Sequence, residues 1–163
     1  NSVSVAHLTQ RGVGAVMAGS MMSVEALLNA AARMAGGVLS RFINVRILLV
    51  AALGFLIVGL IALAEARGLP LMLVYAAGIG IGYGLTFFAS TILLLDYFGR
   101  APNLELFSIV NLISTVGSVA PFLAGTTRDW SGSFTPFFVV LSVLIGGVLI
   151  ATMLMRPPRR ATA

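Results

Sequence analysis

Four stretches of this chain run without a charged residue for about as long as it takes to cross a bilayer: 47–64, 69–95, 106–127 and 130–155. Each is near or above the roughly 20 residues that span about 30 Å of hydrocarbon as a helix. Lipid offers no partner to a backbone N–H or C=O, so such runs must satisfy themselves as helices or close into a barrel. Barrel strands alternate apolar and polar residues, and these runs are too long and too uniformly apolar for that. The stretch 15–40 adds a fifth span, apolar overall but carrying Glu25 and Arg33. The expected fold is an all-α membrane protein, a bundle of five transmembrane helices near 15–40, 47–64, 70–95, 104–126 and 135–155, forming one domain over residues 1–163.

Composition narrows the function classes. Hydrophobic residues make up 59% of the chain and charged residues 9%, outside the range of a water-soluble domain. All ten basic residues are arginines, and with so little soluble surface they cannot gather into a nucleic-acid patch, so no nucleic acid is expected as partner. There is no lysine for a phosphate loop and no cysteine for a disulfide or thiolate metal site. His7 stands alone, so neither a metal nor a cofactor is expected. The acids Glu25, Glu65, Asp96, Glu105 and Asp129 are dispersed, which argues against an enzyme such as a membrane head-group transferase.

Short connections carrying helix breakers separate the spans, at 42–45, at Arg67, Gly68 and Pro70, at Gly99, Arg100 and Pro102, and at 129–132. With the C-terminus cytoplasmic, Arg41, Arg46, Arg100, Arg156, Arg159 and Arg160 lie on that side and Arg11, Arg67 and Arg128 opposite, in the sense of the positive-inside rule. Asp96 and Glu105 flank Arg100 and are expected to pair with it. Asp129 and Trp130 suit a loop cap and an interfacial anchor. The chain does not begin with methionine and reads as a fragment.

The five spans differ in their polar content. Glu25, Asn29 and Arg33 follow one another at intervals of four and share one helical face. A charge at the centre of an inserted helix costs about 2.5–3.5 kcal/mol, which makes each a candidate for function. Burial in hydrocarbon favours a neutral carboxyl, so Glu25 is the candidate proton carrier. Arg33 offers a planar fork that matches a carboxylate, or it snorkels to the cytoplasmic end. Tyr83, Thr86 and Ser90 stripe the third span, and Ser108, Asn111, Thr115 and Ser118 the fourth. Tyr83 could stack on a substrate, though packing is the plainer role, and Asn111 and Ser108 suit bonding between helices better than binding a ligand. The first, third and fourth spans should surround a shared polar interior, with the second and fifth as lipid-facing supports.

Gly78, Gly80, Gly82 and Gly84 alternate within the third span. Gly78 and Gly82 fall on one face and Gly80 and Gly84 on nearly the opposite one, so neighbours could grip this helix closely from both sides. A flexible gating segment is the other reading. No strand precedes these glycines, so they are not a dinucleotide fingerprint.

Three stretches resemble the C-terminal half of a major facilitator superfamily transporter. Arg33, Gly36, Gly37 and Arg41 are similar to the family's arginine and paired glycines before a basic cytoplasmic loop. Tyr97, Phe98, Gly99 and Arg100 are similar to its loop between the tenth and eleventh helices. Gly117, Pro121, Gly125, Asp129 and Gly132 to Phe134 are similar to the series that closes its eleventh helix. The chain departs from the family where Ser40 directly precedes Arg41, with no acid in that loop.

The resemblance implies that the spans are helices eight to twelve, with residues 1–8 as the end of helix seven, and that the N-terminal half of the transporter is a further partner. It implies secondary active transport of a small organic solute, by alternating access with proton or solute coupling, in a bacterial inner membrane. The nearest likeness is to monocarboxylate and oxalate/formate transporters, in which a polar residue four before an arginine matches Asn29 and Arg33. Those transporters have an aspartate where this chain has Asn29, which leaves Glu25 as the group to carry protons. Substrate-binding residues are then Arg33, Asn29, Tyr83 and Asn111, with Gly78, Gly82, Gly117 and Pro121 in packing or gating. A carboxylate anion is the preferred substrate; a proton-coupled drug or metabolite exporter, a membrane enzyme and a noncatalytic assembly subunit are the alternatives.

Overall fold

The computed structural model describes residues 2–66, 68–99 and 103–155. Its elements are α1 (Ser2–Gln10), α2 (Ala15–Leu39), α3 (Val45–Ala64), α4 (Leu69–Phe98), α5 (Asn103–Val116), α6 (Ala120–Ser131) and α7 (Thr135–Leu154), with a 3-10 turn at Gly117–Val119 between α5 and α6. The chain is an all-α bundle with five spans long and apolar enough to cross a membrane, the fourth formed by α5, the turn and α6 together.

Local chemistry explains where the helices begin and end. Asn44 caps α3, its side chain accepting the Arg46 N–H at 2.9 Å. Pro70, Pro121 and Pro136 sit in the first turns of α4, α6 and α7, where a missing N–H leaves no bond unmade. Gly99 and Gly132 close α4 and α6 at φ 78° and 72°, a conformation that favours glycine. The fourth span differs from expectation in two ways: it breaks at Gly117–Val119, and its helix runs on through Asp129 and Trp130 to Ser131. Arg67, Arg100, Arg156, Arg159 and Arg160 lie outside the described residues, and so does the expected pairing of Arg100 with Asp96 and Glu105.

The α4 helix is the spine, held between α2 and α3, while α7 packs on the far side of α3. Its glycines face both neighbours. A Cβ on Gly78 would lie 2.6 Å from the Gly59 Cα of α3, and one on Gly82 would lie 2.9 Å from the Ala52 carbonyl oxygen. On the other side a Cβ on Gly80 would lie 2.6 Å from the Glu25 oxygen of α2, and one on Gly84 would lie 2.5 Å from that of Asn29. Backbone therefore meets backbone along both seams. In lipid, where no hydrophobic drive separates helix from solvent, this close dispersion contact holds helices together.

The second span, expected as a lipid-facing support, keeps an exposed apolar face of Ile47, Phe55, Val58 and Ile61 but buries its other face. In α3 the small residues Ala52 and Gly59 and the larger Leu48 and Leu63 are buried, because this helix sits between α4 and α7. A helix that is apolar all round does not announce which face packs. The fifth span keeps its expected character, with Val140, Val143, Leu144 and Leu154 all exposed on α7.

Candidate functional site

Arg33 lies on the outer face of α2, its Nε–H donating to Asn29 Oδ1 at 2.9 Å. Its guanidinium stacks over the Phe87 ring of α4, 4.4 Å from the centroid. Such a cation–π contact holds the exposed guanidinium in place. Phe87 in turn lines a groove of about 300 Å³ between α4 and α5, with Tyr83, Thr86, Ser90, Phe107 and Asn111. Of the residues predicted to bind substrate, Tyr83 and Asn111 line this groove, whereas Arg33 touches it only through Phe87 and Asn29 only through Arg33. Tyr83 is half exposed rather than packed.

Part of the polar stripe is spent within its own helices. Ser90 and Thr91 both donate to the Phe87 carbonyl, and Asn111 donates to that of Phe107 at 2.9 Å. The Thr86 hydroxyl is buried and has no hydrogen-bond partner.

Glu25 does not join this groove. It is 6% exposed and accepts a 2.8 Å hydrogen bond from the hydroxyl of Tyr75, which is fully buried in α4. Neither Asn29 nor Arg33 is its partner, since those two bond to each other. Tyr75 escaped the sequence reading because it lies in the apolar first half of α4, and only the register of α2 against α4 brings it to Glu25.

A second polar assembly, also unforeseen, closes one end of the bundle. His7 Nε2 meets the Leu63 carbonyl at 3.0 Å, and Arg11 donates to the Ala64 carbonyl at 2.7 Å and to Thr135 Oγ1 at 2.9 Å. These are the last carbonyls of α3, at the negative end of its dipole, and that of Leu63 also accepts the Ala66 N–H at 3.2 Å. His7 on α1 and Arg11, in the turn just past its end, supply the two caps. His7 is 1% exposed and packs edge-on to Phe134 and Phe138. It lies outside the five spans, and burial together with the neighbouring Arg11 cation holds its imidazole below the usual histidine range. At the opposite end Arg46 donates to the Thr152 and Met153 carbonyls that finish α7.

Gly117 and Pro121 bracket the break in the fourth span and line a cavity of about 290 Å³ with Ser4, Leu60, Ile79 and Phe138 among others. Gly117 meets nothing within 4 Å of where a Cβ would stand, unlike Gly78 and Gly82, which are locked against α3. Among the described residues no three His, Cys, Asp or Glu side chains gather as metal ligands. Compared with protein-family models, curated proteins and solved structures, the chain matched none of them.

Proposed function

We propose that this chain is the C-terminal part of a major-facilitator-type secondary transporter that moves a small organic carboxylate by alternating access. The observation that carries the reading is Arg33 stacked on Phe87 at the edge of the groove between α4 and α5. A permanently charged, planar donor beside an aromatic wall suits an anion with an organic body. The groove lies on the polar faces of the third and fourth spans, with Arg33 of the first stacked on its Phe87, on the side that an N-terminal half would cover. Glu25, buried near the middle of its span, supports proton coupling. In this reading the protein is a carrier rather than an enzyme, it sits in a bacterial inner membrane with its C-terminus cytoplasmic, and its partners are solute, protons, lipid and the N-terminal half.

The test is uptake by proteoliposomes containing the full-length protein that carries this sequence. Labelled mono- and dicarboxylates, aromatic amines and sugars are offered with and without an inward proton gradient. Carboxylate accumulation above equilibrium, driven by the gradient, is the expected result. Preferential movement of aromatic amines would instead favour the exporter reading, to which the aromatic lining of Tyr83, Phe87 and Phe107 also lends itself. Correctly inserted protein that moves no solute would leave the assembly-subunit reading.

A further inference from the structure

We propose that Tyr75 is the positioning residue that lets Glu25 give up its proton, by holding the carboxylate that proton release leaves behind. The inference rests on the transporter reading and names the second residue of its proton site.

The two residues stand on different helices, yet the Tyr75 hydroxyl donates to Glu25 Oε2 at 2.8 Å. Tyr75 is fully buried and Glu25 is 6% exposed, so water has little access to the carboxyl. Backbone contacts fix the register that brings the pair together. Gly80 of α4 abuts the Glu25 carbonyl and, one turn on, Gly84 abuts that of Asn29, so α2 and α4 cannot slide without opening both contacts. The fold therefore delivers the hydroxyl to the carboxyl with no rearrangement. Phenylalanine would fill the same space, and only the hydroxyl addresses the acid.

The other titratable and charged groups on the elements around Glu25 are engaged elsewhere. Tyr83 lines the groove, His7 and Arg11 cap α3, Arg33 is held by Asn29 and Phe87, and Asp96 and Tyr97 lie at the far end of α4. Coupled transport requires the carrier to lose its proton as well as take it up. On release the carboxyl O–H bond breaks and a new one forms on water, giving hydronium and a charge in a buried site. An ion there without a hydrogen bond is costly. A donor that bonds the ionised form more strongly than the neutral one favours this step. Uptake is the reverse, and Tyr75 keeps its own proton throughout.

Tyr75→Phe keeps the ring and removes only the hydroxyl. In proteoliposomes of the full-length protein, gradient-driven uptake by this variant should fall about ten-fold, the worth of one hydrogen bond to a charged group. Solute exchange at equal pH should stay close to wild type, with the solute KM unchanged. Glu25→Gln should lose gradient-driven uptake as well, and the double variant should be no worse than Glu25→Gln alone. At neutral pH the infrared band of a protonated carboxyl, assigned by its loss in Glu25→Gln, should be stronger in Tyr75→Phe than in wild type. Should Tyr75→Phe fold poorly, ring-labelled tyrosine in the wild type gives a second reading: on acidification the phenol C–O band should move together with the rise of that carboxyl band. A carboxyl band that rises with no movement of the phenol band overturns the proposal. So does full gradient-driven uptake in Tyr75→Phe where Glu25→Gln abolishes it, or loss of exchange along with it, and in these cases the transporter reading stands. Absence of gradient-driven uptake in the wild type overturns both.

Discussion

Replacing Gly84 with alanine puts a methyl carbon 2.5 Å from the Asn29 carbonyl oxygen and 2.9 Å from the Ala32 Cβ, both on α2. Ordinary van der Waals contact begins near 3.4 Å, so the seam must open by about 0.9 Å. Neither obstacle is the tip of a flexible side chain. Overpacking of this kind costs about 1–3 kcal/mol, and the better helix propensity of alanine returns up to about 1 kcal/mol. A net loss of about 1–2 kcal/mol is expected. Gly146→Ala is the matched control, since a Cβ there on α7 meets nothing within 4 Å. It should be neutral or stabilising by up to about 1 kcal/mol. Reversible unfolding in mixed micelles, with the two variants measured side by side, reads the difference. Gly78→Ala, which strikes α3 instead of α2, should add its own loss to that of Gly84→Ala. If Gly84→Ala is as stable as Gly146→Ala, the α2–α4 seam is not built on backbone contact and the helix register argued from it is wrong.

Acidification should weaken the docking of α1. Because His7 is held below its ordinary pKa in the folded protein, the docked state takes up a proton less readily than the undocked one, so this contribution to stability is fully present above pH 6.5 and declines as pH falls below it, by at most about 1.4 kcal/mol per pH unit. Protease protection of the segment around Arg11 should follow that profile, and the profile should flatten in His7→Asn. Asn44→Ala removes the cap of α3 and should cost about 0.5–2 kcal/mol in the same unfolding assay, while Asn44→Asp should retain most of it.

The residues differ in how much of their role shows in one dimension. The alternating glycines of α4 could be assigned to two faces because 3.6-residue periodicity alone decides it, and the faces that meet α3 and α2 are the ones so assigned. Arg33, Asn29, Tyr83 and Asn111 lie on polar faces that periodicity also picks out, although the stacking of Arg33 on Phe87 could not be foreseen, since Phe87 reads as one more apolar residue. The partner of Glu25 was hidden for a different reason. Tyr75 is fifty residues away, and which turn of α4 faces Glu25 depends on how far the two helices slide along their seam. His7 and Arg11 likewise looked like an isolated histidine and a loop charge, because a helix end needing caps is visible only once the end of α3 is known to stand beside α1. The apolar second span misled for want of any polar residue to mark its buried face.

Binding of a small carboxylate to the full-length protein, measured by calorimetry for wild type and for Arg33→Gln, tests the assignment of the groove most directly. The guanidinium accounts for about 1.5–3 kcal/mol if it holds the carboxylate by charged hydrogen bonds, which predicts a loss of about ten- to one-hundred-fold in affinity. Arg33→Lys, which keeps the charge and loses the planar fork, should fall between the two. Equal affinity in wild type and Arg33→Gln would contradict the account.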